Sequence, residues 1–295
     1  MSPVFHTFAM TAALATGIAL SPASSAATPA PSATSASMIK LGDFMGRTRS
    51  IEVTVGGQHG TFLLDTGGGV TFVTPDFARK IGCSPWGQIS GFRLSGERLD
   101  MARCEGVAIG LQNGKTLPSA TVGMFDLMSL FPPGTSAVDG SLALDALDGQ
   151  MFTLDLRAGT LEFETAKSLA KHTAGAVEIP IRVSRHGASG HDLGIYARSR
   201  TAKGDLWFEV DSGSGAPVLL SNKVAGEAGA ADPAATKAQP FKLALSGKGG
   251  DVSLDTRAIV RDMIHDGVVG MPVLVHWRLM FDLAHDRLWV APVKP

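Results

Sequence analysis

The sequence predicts an all-β chain made of two copies of one unit, and three observations carry that prediction. With 35 Gly and 16 Pro in 295 residues and only 18% charged residues, the composition suits many short strands and turns better than long helices. Ile51, Val53 and Val55 alternate with polar residues ahead of Gly56-Gly57, the period of a half-buried strand entering a turn. The chain also repeats itself at long range, the mark of a duplicated structural unit.

The repeat is clearest near the ends of the halves. Asp139-Gly140 recurs 127 residues later as Asp266-Gly267, and the same offset carries Leu147 to Leu274, Asp155-Leu156 to Asp282-Leu283 and Leu161 to Leu288 without a gap. Met151 to Phe163 and Arg278 to Val290 each read as strand, Asp-Leu, four-residue turn and strand, a closing hairpin. Upstream, Phe62-Leu63-Leu64-Asp65-Thr66-Gly67 matches Phe208-Glu209-Val210-Asp211-Ser212-Gly213 at an offset of 146. Ile195 to Ala197 and the turn Lys203-Gly204-Asp205 precede the second triplet as a strand and turn precede the first. Each half then offers a hairpin with a Ser-Gly tip, Ser95-Gly96 and Ser246-Gly247.

Residues 1–26 read as a signal peptide: the apolar run Phe8 to Leu20 is too short to cross a bilayer and is followed by small residues ending at Ser24-Ser25-Ala26. The expected location is periplasmic or secreted. No Cys precedes Cys83, so no lipid attachment residue lies near the cleavage site and no stable membrane anchor is expected. Residues 27–37, rich in Ala, Ser, Pro and Thr, form an expected disordered leader. The first lobe, with Asp65, is placed at 38–170 and the second, with Asp211, at 171–295. Cys83 and Cys104 either form a bridge, worth about 3 kcal/mol, or remain as two buried thiols.

Lys plus Arg number 26 against 27 Asp plus Glu, a formal charge of -1. Nothing in that balance favours nucleic acid or an anionic membrane surface; a peptide or protein substrate suits it better. The eight His residues show no His-Glu-x-x-His spacing and the cysteines no Cys-x-x-Cys, so neither a metal nor another cofactor is expected. Gly213-Ser214-Gly215 lacks the Gly-x-Ser-x-Gly of a nucleophile turn, because Asp211 holds the first position. One Asp-Thr-Gly is a weak signal, since aspartate and glycine favour turns. Two at corresponding positions, each ending an apolar strand, point to a shared task, against the plainer alternative of a duplicated β domain whose aspartates only cap turns.

The paired triplets resemble those of the pepsin/retropepsin superfamily of aspartic proteases. FLLDTGGGVTFVTPDFARKIGC, residues 62–83, and the closing stretch DGVVGMPVLVHWRLMFDLAHDRLWVAP are similar to its bacterial retropepsin-like members, and the likeness covers nearly all of the chain after the leader. It implies a bilobal fold of two β-barrel-like lobes with short helices. It also implies a peptide hydrolase with Asp65 and Asp211 as the catalytic pair and Thr66, Gly67, Ser212 and Gly213 as loop support. A catalytically weak, peptide-binding member is the alternative. Because one chain supplies both aspartates, a monomer is sufficient. Val268-Val269-Gly270 matches the hydrophobic-hydrophobic-Gly element behind the active-site loop. Ala143 stands at that glycine in the first half, Gly68 replaces the usual Ser or Ala, and the flap tyrosine has no counterpart, since Tyr196 is the only tyrosine. Phe92 and Trp86 are candidates for the flap side of the cleft, each against a core role. Asp139 and Asp266 are expected to be turn-forming or hydrogen-bonding rather than catalytic.

Overall fold

The two triplet strands, Gln58–Leu64 and Asp205–Asp211, occupy matching places in two separate sheets. The computed structural model describes residues 38–187 and 189–293; the expected signal peptide and leader lie outside them. In the first half Thr48–Val55 pairs antiparallel with the triplet strand, and Gly140–Leu142 returns beside it in parallel. In the second half Leu193–Arg200 and Gly267–Gly270 take those positions. The turn Gly56-Gly57 needs φ of 55° and 82°, a region that glycine enters without the Cβ clash of other residues.

Beyond the return strand the order also matches. Phe72–Val73 pairs parallel with Thr116–Met124, as Val218–Ser221 does with Gly250–Arg261. By sheet position the hairpin Gln239–Gly247 and Gly250–Arg261 therefore corresponds to Arg98–Leu111 and Thr116–Met124. The hairpin with Ser95-Gly96 at its tip is formed instead by Trp86–Phe92 and Arg98–Leu111. Trp86–Phe92 has no counterpart in the second sheet among the described residues, so the two Ser-Gly hairpins are not equivalent. Similar turn chemistry at two tips fixes a local bend but not the place of the hairpin in a sheet.

The closing hairpins join the halves. Met151–Asp155 pairs antiparallel with Trp277–Asp282 in a six-stranded sheet to which both halves contribute. Its register sets Thr153 opposite Met280, two positions related by the 127-residue offset, so the approximate two-fold axis of the duplication runs between them. Phe152 and Phe281 stack there at 4.7 Å, both fully buried. Burying each ring removes enough apolar surface for about 2 kcal/mol. The helix Ala166–His172, capped by Thr165 and Ser168, follows the first closing hairpin and runs across the expected boundary at 170/171.

Pro75–Lys80 is a short helix with Pro at its start and Thr74 accepting the Phe77 N–H at 3.3 Å. Phe77 packs edge-on against Phe62 of the triplet strand, 5.5 Å between centroids. Just past the helix, Cys83 is bonded to Cys104 on the long strand, with Cα atoms 6.0 Å apart. Closing a loop of this length restricts the unfolded chain. Replacing both cysteines by Ser should lower stability by about 3 kcal/mol, measured as a fall in the thermal midpoint that added reductant reproduces in the wild type.

Candidate active site

Each triplet follows directly from its strand, and the return strand fixes where it goes. A Cβ on Gly140 would meet the ring of Phe62, and one on Gly267 the ring of Phe208. The Asp-Gly pair before each return strand has a matching use. Asp139 accepts the N–H of Thr61 at 3.0 Å and Asp266 that of Trp207 at 2.9 Å, residues related by the 146-residue offset. These carboxylates hold the triplet strand to the return strand, away from Asp65 and Asp211.

The two triplet loops meet through four buried hydrogen bonds. Thr66 N–H donates to Ser212 Oγ at 3.0 Å and Ser212 N–H to Thr66 Oγ1 at 2.9 Å. The Thr66 hydroxyl donates to the Val210 carbonyl at 2.7 Å, and the Ser212 hydroxyl to the Leu64 carbonyl at 2.8 Å. Each hydroxyl thereby both donates and accepts across the halves, using most of its capacity.

Gly67 and Gly213 close the arrangement. A Cβ on Gly67 would overlap the carboxyl of Asp211, and one on Gly213 the carboxyl of Asp65. Each aspartate also accepts the N–H of its own triplet glycine, at 3.1 Å for Asp65 and 2.8 Å for Asp211, and Asp211 takes a further bond from Ser214 N–H at 3.0 Å. The carboxyls of Asp65 and Asp211 lie close enough to interact, each against the triplet glycine of the opposite half. Burial raises both carboxyls above the ordinary value of 3.8; for Asp65 the hydrogen bonds it accepts oppose the rise. Asp211 is raised further, since the negative charges of Asp65 and then Glu209 add to burial. The two carboxyls therefore titrate as a pair that holds one proton between them.

Glu209 is the residue that sequence reasoning passed over. It is 5% exposed and lies two positions before Asp211, where the first half has Leu63. The mismatch between FLLDTG and FEVDSG was the available signal. Tyr196, directly across the strand pair from Glu209, lines the same cleft. Burial, reinforced by Glu209 and Asp192, raises its hydroxyl well above the ordinary range.

A Cβ on Gly68 would lie 3.1 Å from Asp65 Cγ and in ordinary contact, 3.4 Å, with the Cβ of Ala143. At the place in the second half that corresponds to Ala143, a Cβ on Gly270 would overlap the backbone carbonyl of Ala216, which only glycine avoids. Ala143 N–H donates to Thr71 Oγ1 at 3.0 Å, and the Thr71 hydroxyl donates to Asp145 at 2.6 Å. Burial pushes the Asp145 carboxyl up to about 6.

A cleft of about 210 Å³ adjoins the dyad. The unmatched hairpin roofs it: Ile89, Phe92, Leu99 and Met101 face in, and the carbonyl of Leu94 accepts the N–H of Ile264 from the second half at 2.9 Å. Phe92 lines the cleft, whereas Trp86 lies elsewhere, with the Arg103 guanidinium 3.8 Å above its ring. Among the described residues one group of side chains has cation-ligand spacing, Glu162, Glu164 and His172. It is remote in sequence from both triplets, and Oε1 of Glu164 already hydrogen-bonds Thr153 and His172.

No family model matches the sequence, nor does any curated protein. Solved structures do. Soybean basic 7S globulin aligns at a TM-score of 0.57 and 10% identity, covering 87% of this chain and 95% of its own. An aspartic proteinase from Irpex lacteus aligns at 0.53 and 17% identity, covering 88% and 98%. The chain has the pepsin-like fold. One neighbour is named a proteinase and the other a globulin, so the fold alone does not assign an activity.

Exchanging the pair tests the packing account. Gly68→Ala should press on Asp65 and Ala143→Gly should leave a void, each costing on the order of 1 kcal/mol. The double variant should be destabilised by about the sum of the two, since a Cβ on Gly68 would only touch that of Ala143, measured by denaturant titration in a double-mutant cycle.

Proposed function

We propose that this protein is an exported aspartic endopeptidase that hydrolyses peptide bonds with a water activated between Asp65 and Asp211. The observation that carries the proposal is the pair itself: two interacting carboxyls, Asp211 buried and Asp65 half-buried, each packed under the opposite half's triplet glycine. Ionised Asp65 takes a proton from the water as it attacks the peptide carbonyl carbon. Protonated Asp211 gives its proton to the carbonyl oxygen, leaving a gem-diol. Collapse breaks the C–N bond, the amine leaves with a proton returned through the pair, and a carboxylic acid is released. Two carboxyls this close cannot both ionise readily, so they hold one proton between them, as the catalytic pairs of aspartic proteases do in general.

The bond network supports this chemistry by fixing the two loops, since a dyad displaced by an ångström loses much of its rate. The peptide or protein chain would lie in the cleft beneath the roofing hairpin. One chain supplies both acids, so a monomer suffices. The Cys83–Cys104 bridge fits an oxidising compartment such as the periplasm or the exterior, and no described helix is long and apolar enough to cross a membrane.

A second function, binding a peptide without cleaving it, is favoured by the globulin among the fold's neighbours. Activity separates the two. Asp65→Asn and Asp211→Asn should each lower peptide cleavage by about 10²–10⁴-fold in a peptide-library digest followed by mass spectrometry. Cleavage persisting at the wild-type rate would remove the dyad from the mechanism.

The pH profile follows from the same groups. Activity needs Asp65 ionised and Asp211 protonated, so it rises as Asp65 loses its proton and falls as Asp211 does. Both values lie above 3.8 because of burial, and Asp211 lies higher. The bell of kcat/KM against pH should therefore stand wholly on the alkaline side of an ordinary aspartate, measured with a quenched fluorescent peptide.

A further inference from the structure

The cleft wall carries an acidic feature that the hydrolytic chemistry does not use. Glu209 is buried, yet no protein donor among the described residues reaches its carboxyl within hydrogen-bond distance; His265 Nε2 stands 3.8 Å from Oε2. A buried carboxyl without a partner is costly and is rarely kept without a use. Asp192 lines the same cleft, where one of its oxygens takes the Ser189 hydroxyl at 2.6 Å. Among the described residues no Lys or Arg lines this cleft. Burial lowers the pKa of His265, which leaves that ring uncharged near neutral pH. Around the acids, Ile89, Leu99 and Met101 supply an apolar wall suited to an aliphatic stem.

From this geometry we infer that Glu209 and Asp192 form a subsite selecting a positively charged substrate side chain, lysine or arginine, beside the scissile bond. The inference rests on the proposed peptide-hydrolase function. An incoming ammonium or guanidinium supplies the donors that Glu209 lacks, and its methylenes cover the apolar wall. The first half has Leu63 at the corresponding position, so the duplication gives the cleft one acidic side.

A linkage to pH follows. The groups facing Glu209 are Asp65 and Asp211 from the triplet loops, Tyr196 from the neighbouring strand, His265 from the loop before Gly267–Gly270, and Asp192 from the cleft wall. Burial, and then the charge of Asp65, push the Glu209 carboxyl up to about 8. At acid pH Glu209 is protonated, and a bound cation must displace that proton. The advantage of a cationic side chain therefore grows as pH rises toward 8.

The test uses peptides with a reduced, uncleavable bond, each carrying lysine or isosteric norleucine at one of the positions nearest that bond. Their binding to the wild type, Glu209→Gln, Glu209→Leu and Asp192→Asn is followed by calorimetry at pH 5 and pH 8. The wild type should bind one lysine peptide roughly 10- to 100-fold more tightly than its norleucine partner at pH 8, with a smaller ratio at pH 5. Both Glu209 variants should lose most of that ratio and Asp192→Asn part of it. Leucine at this place has a precedent in Leu63, so a folded Glu209→Leu is expected, and near-ultraviolet circular dichroism checks it. Equal binding of lysine and norleucine peptides by the wild type, or a ratio that survives at Glu209→Gln, overturns the subsite while leaving the hydrolase proposal standing. Binding of neither peptide overturns both.

Discussion

Thr66 and Ser212 exchange backbone N–H donors for each other's hydroxyl oxygens, and each hydroxyl then donates to a carbonyl behind the opposite aspartate. Four bonds in a dry interface are individually modest, about 1 kcal/mol each. Their weight lies in what breaking one would leave: a buried donor or acceptor with no water to satisfy it. The lengths therefore fix the separation of the two loops, and with it the contact of Asp65 and Asp211. Gly67 and Gly213 are the steric expression of the same constraint, since any side chain there would occupy the space of the facing carboxyl. The shared sheet, with Thr153 opposite Met280, keeps the two halves in the orientation these bonds require.

Symmetry brings the acids together, and departures from it give them different properties. Glu209 replaces the apolar Leu63 and sets a third carboxyl beside the pair, its own pKa pushed up to about 8 by burial and then by the charge of Asp65. The hairpin built on Trp86–Phe92 belongs to the first half and covers the cleft from one side. The backbone carbonyl of Ala216 leaves room only for glycine at Gly270, whereas the matching place in the first half accommodates the methyl of Ala143.

The fold neighbours set the proportion of what architecture can say. A globulin and a proteinase share this topology at 10% and 17% identity with the chain. Function must therefore be argued from the dyad, its protonation and the cleft chemistry, each of which depends on a few side chains rather than on the sheets.

The all-β class and the duplication were legible in the sequence because strand period, turn residues and repeated spacing are local signals. The triplets could be paired for the same reason: one offset related Asp65 to Asp211, and no gap obscured the closing hairpins. Asp139 and Asp266 were assigned to hydrogen bonding from their Asp-Gly context, and their bonds to Thr61 and Trp207 fit that role. Only the tertiary structure separated the two Ser-Gly hairpins, because strand order in a sheet depends on pairings distant in sequence. It alone joined Cys83 to Cys104, a relation of space that spacing along the chain does not encode. Protonation belongs to the same class: Asp65 and Asp211 are equivalent as letters, and burial together with the charge of the neighbouring carboxylate raises the Asp211 carboxyl well above the ordinary value.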